Sequence, residues 1–166
     1  MPEPNRSRIP PLGPRGEGWV IGQGILLALV AVFGLPGLAS LPPQSSGRWI
    51  AALVGLALLV AGSMVGFAGA RQLGRSLTAV PRPRHGARLV DSGIYGVIRH
   101  PLYLALMLIG AGWAVVMVSI PSAIVAAALT AWLDAKSRRE EAWLLEAYQP
   151  YAAYRQRTAR FVPGLY

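Results

Sequence analysis

The sequence contains no cysteine and only two histidines among its 166 residues. Without cysteine the chain has no disulfide, no thiolate zinc site and no cysteine nucleophile, and with so few histidines we expect no metal site. Charged residues make up only 14% of the chain. A soluble domain of this length carries nearer to a quarter of charged residues, so the composition points away from a soluble protein.

Charged residues are missing altogether from three long stretches, residues 19–41, 49–70 and 101–133. About 20 apolar residues span the ~30 Å hydrocarbon layer, so the first two stretches predict one membrane-spanning helix each. The third would be roughly 50 Å long as a single helix, and Pro121 near its middle predicts a tight reversal. The sequence therefore predicts an all-α integral membrane protein with four transmembrane helices, of which the third and fourth form a helical hairpin.

The basic residues indicate how these helices are oriented. Fifteen of the sixteen Lys and Arg residues lie in the N-terminal arm, in residues 71–100 or after residue 133, and only Arg48 lies between the first two spans. By the positive-inside rule, we expect both termini of a multi-pass protein in the inner or plasma membrane to be cytoplasmic. The formal charge of +9 is then typical of helix flanks that face anionic membrane lipids, and we expect no nucleic-acid partner.

Along the chain, residues 1–18 are rich in Pro, Gly and Arg and are predicted to form a disordered cytoplasmic arm. Residues 19–70 hold the two N-terminal transmembrane helices. Residues 71–166 hold a long loop, the hairpin and a C-terminal helix that continues past the membrane, because the predicted fourth transmembrane helix becomes charged around Asp134 without an intervening Pro or Gly. Pro150 marks the end of this helix or a kink in it.

A group of polar side chains stands where the basic loop meets the third apolar stretch. Tyr95, Arg99, His100 and Tyr103 surround Pro101, which suits the first turn of a helix. The helix N-terminus and Arg99 are suited to hold a carboxylate, either of a cofactor or of an acidic substrate. His100 is suited to act as a general base, or to position the cofactor by a hydrogen bond, and we favour the positioning role because an ionised carboxylate acceptor needs no base.

Glu140 and Glu141 lie on the predicted cytoplasmic extension of the last helix. A purely structural interpretation pairs them with Lys136 at i−4 and Arg138 at i−3 as surface ion pairs. In the functional interpretation, one glutamate faces the pocket and the other orients Arg99. Adjacent helical residues point about 100° apart, so the two cannot share one role. Which glutamate takes which role stays open at this point.

Several motifs occur in order along residues 71–166: Leu73-Gly74-Arg75-Ser76-Leu77-Thr78, Pro81-x-Pro83, Leu89-x-x-x-Gly93-x-Tyr95-x-x-x-Arg99-His100-Pro101-x-Tyr103, Glu140-Glu141-x-x-Leu144 and Tyr151-x-x-Tyr154. Together these motifs resemble the isoprenylcysteine carboxyl methyltransferase family and its bacterial relatives, which share features with phospholipid N-methyltransferases. The first two apolar stretches match that family only in kind.

The resemblance implies a membrane methyltransferase whose core is residues 71–166. It implies S-adenosylmethionine as cofactor, in a pocket open to the cytosol, and a lipophilic or lipidated acceptor that enters from the lipid, with a carboxylate of a prenyl or lipid-type substrate favoured. On this basis we predict catalytic roles for Arg99, Glu140 and Glu141. The cofactor-binding residues would be Leu89, Tyr95, Arg99, His100, Pro101, Tyr103, Glu140 and Glu141. Tyr151, Tyr154 and Arg139 would bind the substrate.

Two other functions stay open on the sequence alone. Membrane sterol-type reductases look similar in their C-terminal region and bind NADPH there, although they have more spans than this chain. A non-catalytic membrane protein that keeps the shape is the second alternative. The sequence identifies neither the methyl acceptor nor the oligomeric state.

Overall fold

Five helices account for most of the computed structural model, which describes residues 9–39, 46–78, 80 and 89–164. The helices are α1 (Glu17–Gly34), α2 (Ser46–Leu73), α3 (Pro101–Val116), α4 (Ile120–Ala147) and α5 (Tyr151–Arg157), with short 3-10 turns at Leu35–Ala39, Gly74–Ser76 and Gly93–Gly96. Within these described residues the only β-type pairing is an isolated parallel bridge between Ile98 and Ala159. The predicted all-α class is therefore confirmed for this part of the chain.

The reversal predicted near Pro121 lies at residues 117–119. Val118 has a φ of 49°, which places this residue in the left-handed region and turns the chain sharply. Ser119 then caps α4, because its side chain accepts a hydrogen bond from the backbone N–H of Ser122 at 3.3 Å. Pro121 fits the first turn of α4, where its missing N–H leaves no intrahelical bond unmade. α3 and α4 therefore form an antiparallel hairpin, and α4 begins at Ile120.

The contact between α2 and α3 is built on glycine. The buried residues of α2 are Gly55, Gly62 and Gly69, which are spaced two helical turns apart and so share one face. A Cβ on Gly55 would lie 2.7 Å from the backbone nitrogen of Val116, and one on Gly62 would lie 2.9 Å from the carbonyl oxygen of Ala105. These backbones approach closely because no side chain separates them, as in other membrane helix pairs with small residues at the contact.

α1 packs mainly against α4. The Trp19 and Trp132 rings lie 4.7 Å apart, and the Trp132 indole donates to the Trp19 carbonyl at 3.1 Å. Near the other end of α1, the Ser122 hydroxyl donates to the Val30 carbonyl at 2.8 Å. The fully buried Leu129 and Leu133 of α4 form the core together with Ala126 and with Val30 of α1.

These antiparallel pairings bring several helix ends to one end of the bundle. The C-terminal part of α2 meets the start of α3, because a Cβ on Gly69 would lie 3.3 Å from the Pro101 ring. The start of α1 lies against the middle of α4 through Trp19 and Trp132. The end that gathers the start of α1, the end of α2, the start of α3 and the charged half of α4 is called the polar end below. The hairpin turn marks the opposite end, where the Ser119 hydroxyl donates to the Phe33 carbonyl at 2.6 Å.

In the described part of the chain, two helical segments are long and apolar enough to cross a membrane, namely Glu17–Gly37 and Ser46–Leu73. Neither is the buried core of a soluble protein, because both expose many large apolar side chains. On α1 and α2 these include Ile21, Ile25, Val32, Phe33, Ile50, Leu53, Leu56, Met64 and Phe67. Soluble monomers rarely expose apolar patches of this extent, so the exposure is typical of helices that face lipid.

The first predicted span is shorter as a helix than the uncharged stretch that suggested it. α1 ends at Gly34 and is followed by a 3-10 turn that contains Pro36, whose ring interrupts a regular helix. Of the predicted arm, residues 1–18, the part from residue 1 to residue 8 lies outside the described residues. Beyond that point the chain is folded against α1, with the Trp19 indole donating to the Pro10 carbonyl at 3.2 Å and the Gly18 N–H donating to the Leu12 carbonyl at 2.8 Å.

The close α2–α3 contact predicts opposite effects for two Gly→Ala substitutions. Gly55→Ala places a methyl group against the backbone of α3, and we expect it to destabilise the fold by about 1–3 kcal/mol. Gly24→Ala, at a helical position with open space, should leave stability unchanged or raise it by up to about 1 kcal/mol. Thermal unfolding of both variants in the same detergent tests this, and equal midpoints would contradict the proposed packing.

Candidate functional site

The loop that precedes α3 enters the polar end through a turn that requires glycine. Gly93 has a φ of 58°, and a Cβ on it would lie 2.9 Å from the side chain of Gln72 at the end of α2. For both reasons, a residue with a side chain would be strained at this position. The 3-10 turn Gly93–Gly96 follows and buries Tyr95. The sequence thereby fixes this loop to α2 just before the Arg99-His100-Pro101 segment begins.

The C-terminal tail is bound alongside that segment by backbone hydrogen bonds. The Arg99 N–H donates to the Ala159 carbonyl at 2.8 Å, the His100 N–H donates to the Arg160 carbonyl at 3.2 Å, and the Ala159 N–H donates to the Val97 carbonyl at 3.0 Å. The Arg99 guanidinium adds hydrogen bonds to the carbonyls of Thr158 and Arg155. Residues from the start of α3 and from the end of the chain therefore line a single site.

Glu141 lies at the centre of this site and is surrounded by basic side chains. Its Oε1 accepts from Arg99 Nε at 2.9 Å, from Arg160 Nε at 3.2 Å and from His100 Nε2 at 3.3 Å. Its Oε2 lies 3.4 Å from Arg155 Nε. Only 3% of the Glu141 side chain is exposed, and only 8% of that of Arg99. Both oxygens of this carboxylate are thus occupied by the chain's own basic groups.

The charge state of Glu141 follows from these partners. Burial by itself would raise the pKa of the Glu141 carboxyl, but the hydrogen bonds and charges of His100, Arg99 and Arg160 outweigh burial and hold it well below its usual range. The carboxylate therefore stays ionised at every physiological pH. Ionised, it keeps the basic side chains of three separate segments together.

Glu140 points to a different set of partners, as expected for adjacent residues on a helix. Its Oε2 accepts a hydrogen bond from the Tyr103 hydroxyl at 2.6 Å and lies 3.8 Å from His100 Nδ1. The Glu140 side chain is 24% exposed. Its second oxygen accepts no hydrogen bond from the residues that the structure describes. Within the described part of the chain, Glu140 is therefore the one of the two glutamates that has a carboxylate oxygen without a donor.

Aromatic rings frame Glu140. The His100 and Tyr103 rings are stacked, with centroids 5.3 Å apart and planes 4° apart. Tyr95 is buried, and burial together with the nearby charge of Glu140 raises the pKa of its hydroxyl. Two predicted cofactor residues, His100 and Tyr103, therefore lie against the Glu140 carboxylate.

The remaining predicted residues are placed less closely. Pro101 is fully buried at the start of α3, and Leu89 is half-buried in the segment that leads to Gly93. The Tyr151 and Tyr154 rings are buried and lie 5.6 Å apart, and the Tyr154 hydroxyl donates to the Tyr95 carbonyl at 2.7 Å. The Arg139 guanidinium lies 4.4 Å over the Trp143 ring.

The surface ion pairs of the structural interpretation are not those found. Arg138 donates to Asp134 at 2.8 Å, one turn earlier on α4, rather than pairing with Glu141. Lys136 is buried, and its ammonium donates to the Gln23 amide oxygen of α1 at 2.7 Å and lies 4.9 Å from the centre of the Tyr103 ring. Glu141 instead points away from both and binds Arg99.

The structure adds residues that the sequence did not identify as part of the site. Arg160 bridges Glu141 and Asp134, donating to Asp134 Oδ1 at 3.2 Å. Gln23 and Lys136 join α1 to the ring of Tyr103. Gln23 could have been noticed from the sequence, because a polar side chain is rare in an apolar span. In residues 19–41 the only polar side chains of this kind are those of Gln23 and Ser40. For Arg160 the sequence offers no signal beyond its place in a basic tail.

The buried position of Glu141 predicts how stability depends on pH. Its pKa is lowered in the fold from the ordinary value of 4.5, so its contribution is fully present above that value and is lost as the pH falls below it. Glu141→Gln leaves buried cations unpaired and should destabilise the protein by about 3–5 kcal/mol at neutral pH. The difference in unfolding midpoint between wild type and variant should shrink as the pH is lowered well below 4.5. A pH-independent difference would contradict the ionised, paired carboxylate.

Comparison with known proteins bears directly on this site. Residues 50–151 match the model of a family described as phospholipid methyltransferase. No match was found among curated proteins. The matched residues cover more than half of the chain and include α2 from residue 50 onward, the Arg99-His100-Pro101 segment, the hairpin and both glutamates. The chain therefore belongs to the phospholipid methyltransferase family, which confirms the resemblance to membrane methyltransferases.

Proposed function

We propose that the protein transfers a methyl group from S-adenosylmethionine to a lipophilic acceptor at the cytoplasmic face of a membrane. The observation that carries this proposal is the partly exposed Glu140 carboxylate. One of its oxygens is held by Tyr103, and the other accepts nothing from the described residues. The carboxylate lies at the polar end of a bundle whose outer faces are apolar, in a chain of the phospholipid methyltransferase family.

The residues around Glu140 fit S-adenosylmethionine. This molecule carries a positively charged sulfonium and an ammonium, and a carboxylate with an oxygen that accepts nothing from the described residues is a suitable partner for either. The stacked His100 and Tyr103 rings lie beside that carboxylate. Glu140 would hold the ammonium or the ribose, and His100, fixed by its contact with Glu141 at 3.3 Å, would position the cofactor. When bound, the cofactor supplies a methyl group attached to a positively charged sulfur. After the methyl group is transferred, the rest of the cofactor is left as a neutral thioether.

The proposed roles of the two glutamates differ. Glu141 and Arg99 are buried and bind each other, so they serve by positioning the loop, α4 and the tail rather than by contact with a ligand. Catalysis would then come from orientation of the reactants and exclusion of water, effects that can supply roughly 7–11 kcal/mol. An ionised carboxylate acceptor requires no proton transfer, so His100 needs to act only through its hydrogen bonds.

A carboxylate acceptor would be held by Arg155. Its Nε lies 3.4 Å from Glu141, and 46% of its side chain is exposed, so its terminal N–H groups are open to a ligand from the surface. Tyr151, Tyr154 and Arg139 lie on the same C-terminal part of the chain and would line the acceptor site. A lipid with an acidic head group satisfies both this cation and the apolar faces of the neighbouring helices.

For the orientation in the membrane, we propose four spans formed by α1, α2, α3 and the first half of α4. The polar end would face the cytoplasm, because the described Lys and Arg residues other than Arg48 lie in segments that begin or end there. Both termini would then be cytoplasmic.

The absence of cysteine makes this topology testable by labelling. Single cysteines introduced by Gln156→Cys and Asp91→Cys should react with a membrane-impermeant maleimide only in inside-out vesicles. Cysteines introduced by Gly47→Cys and Pro121→Cys should react only in right-side-out vesicles. The cysteine-free wild type provides the background. Labelling of Gln156→Cys and Pro121→Cys from the same side would exclude four spans.

The cofactor assignment is tested by calorimetric titration of detergent-purified protein with S-adenosylmethionine, S-adenosylhomocysteine and NADPH. We expect the first two to bind and NADPH not to bind. Glu140→Gln should weaken binding about tenfold or more, because it removes a charged hydrogen-bond partner, and should change the unfolding midpoint little since the carboxylate is partly exposed.

Glu146→Gln is the matched control, because Glu146 is an exposed carboxylate at the end of the same helix. It should bind like wild type. Binding of NADPH alone would assign the protein to the reductases and refute the proposal. Failure of folded wild-type protein to bind any of the three would favour a non-catalytic membrane protein.

A further inference from the structure

Lys136 is the only lysine of the chain, and it is fully buried, with 1% of the residue exposed. Its ammonium donates to Oε1 of Gln23 on α1 at 2.7 Å and lies 4.9 Å from the centre of the Tyr103 ring. An amide oxygen and an aromatic face both suit a cation, but neither carries a negative charge. Among the residues that the structure describes, no carboxylate forms an ion pair with Lys136.

A buried ammonium that lacks an anionic partner requires an explanation. Burial of a charge costs free energy unless the charge is paired and hydrogen-bonded, and an ammonium has three N–H donors, of which the bond to Gln23 uses one. Burial lowers the pKa of Lys136, and the charge of Glu140 acts in the opposite direction. A neutral donor would join α1 to α4 equally well. We therefore expect the charge to meet an anion that is not part of the described chain.

Gln23 adds a second donor beside this ammonium. Because an ammonium can only donate, the oxygen of the Gln23 amide faces Lys136, and the amide NH2 group is left for another partner. That NH2 group has no acceptor among the described residues, and Gln23 is only partly buried. Two N–H donors side by side, one of them charged, suit the oxygens of a carboxylate or a phosphate.

The pair of donors is joined to Glu140 through a single ring. Lys136 and Glu140 are four residues apart on α4 and are therefore neighbours on one face of the helix. The Lys136 ammonium lies over the Tyr103 ring, and the Tyr103 hydroxyl donates to Glu140 at 2.6 Å. Arg99, which the sequence predicted to hold a carboxylate, is instead paired with Glu141 at 2.9 Å. A cation without an ion pair and a carboxylate thus contact the same tyrosine.

We propose that the Lys136 ammonium and the Gln23 amide bind an anionic oxygen group, a carboxylate or a phosphate, of a ligand whose positive group is held by Glu140. This inference rests on the proposed function, under which the anion is the carboxylate at the amino-acid end of the methyl donor, on the same carbon as the ammonium. The head group of a zwitterionic phospholipid offers the same pair of charges through its phosphate and amine, so the experiment includes both sources.

The first test is calorimetric titration of wild type and Lys136→Met with S-adenosylhomocysteine and with its decarboxylated analogue, in which hydrogen replaces the carboxylate. Lys136→Met should weaken binding of S-adenosylhomocysteine about tenfold or more, the effect of losing a hydrogen bond between charged groups. It should not weaken binding of the analogue. Arg138→Met removes an exposed cation from the same helix and, as the matched control, should bind both compounds like wild type.

Two results of these titrations would overturn the proposal. Equal affinities of wild type and Lys136→Met for S-adenosylhomocysteine would show that Lys136 only joins the helices. Equal losses for both compounds would show that the substitution disturbs the site without removing a contact to the carboxylate.

A second variant supplies the missing anion from within the chain. Gln23→Glu places a carboxylate where the amide oxygen now accepts from Lys136 at 2.7 Å. It should raise the unfolding midpoint of the ligand-free protein, because a buried charge gains a partner. It should also weaken binding of S-adenosylhomocysteine about tenfold and spare the decarboxylated analogue. A lower midpoint would show that the charge of Lys136 is already compensated, and would contradict the proposal.

A further pair of titrations separates this proposal from the proposed function. If folded wild type binds neither S-adenosylmethionine nor S-adenosylhomocysteine, the proposed function fails. Wild type and Lys136→Met are then titrated with short-chain phosphatidylethanolamine and with diacylglycerol of the same chain length in the same detergent. A loss confined to phosphatidylethanolamine in Lys136→Met would still support the anion site, with the lipid phosphate as its ligand. The same affinities in both proteins would overturn the anion site as well.

Discussion

The buried carboxylate of Glu141 is the interaction on which the site depends. Four basic side chains from three segments converge on it: Arg99 and His100 from the loop before α3, Arg155 from α5, and Arg160 from the tail. An ion pair that is 3% and 8% exposed contributes little net stability by itself, because both charges have lost their hydration. The ion pair instead favours this one arrangement of the segments over others, because any arrangement that separates them leaves a buried charge without a partner.

The apolar bundle and the polar end depend on each other in this arrangement. Gly55, Gly62 and Gly69 allow α2 to lie against the backbone of α3, and Gln72 at the end of α2 then contacts the Gly93 turn that leads into Arg99. On the other side, Gln23 of α1 reaches Lys136 of α4. In both of these helix pairs, α2 with α3 and α1 with α4, close packing within the bundle is therefore accompanied by a polar contact at the polar end.

The sequence predicted the helices well because uncharged length is itself the physical requirement for a membrane span, and Pro121 supplied a local reason for the reversal. It could not separate the roles of Glu140 and Glu141, since that depends on which side chains lie 3 to 4 Å away across the fold. The surface ion pair of Glu141 with Arg138 was a sound expectation from helical spacing and was wrong, because Arg138 pairs with Asp134 and Glu141 with Arg99. Arg160 was not predicted, as its bridge to Asp134 and Glu141 rests entirely on tertiary contacts.

The position of the tail has a consequence for how the site is assembled. The family match ends at residue 151, yet Arg155, Thr158 and Arg160 lie beyond it and contact Arg99 or Glu141. Among the described residues, three backbone hydrogen bonds join the tail to the loop, each of modest net value at about 0.5–1.5 kcal/mol. Its docking must therefore draw on the charged contacts to Glu141 and on the buried Tyr151, Tyr154 and Phe161. Residues that bind the tail and residues proposed to bind the ligand are neighbours on α4, as Glu141 and Glu140 are, so the contacts that hold the tail also fix the position of the proposed ligand-binding residues.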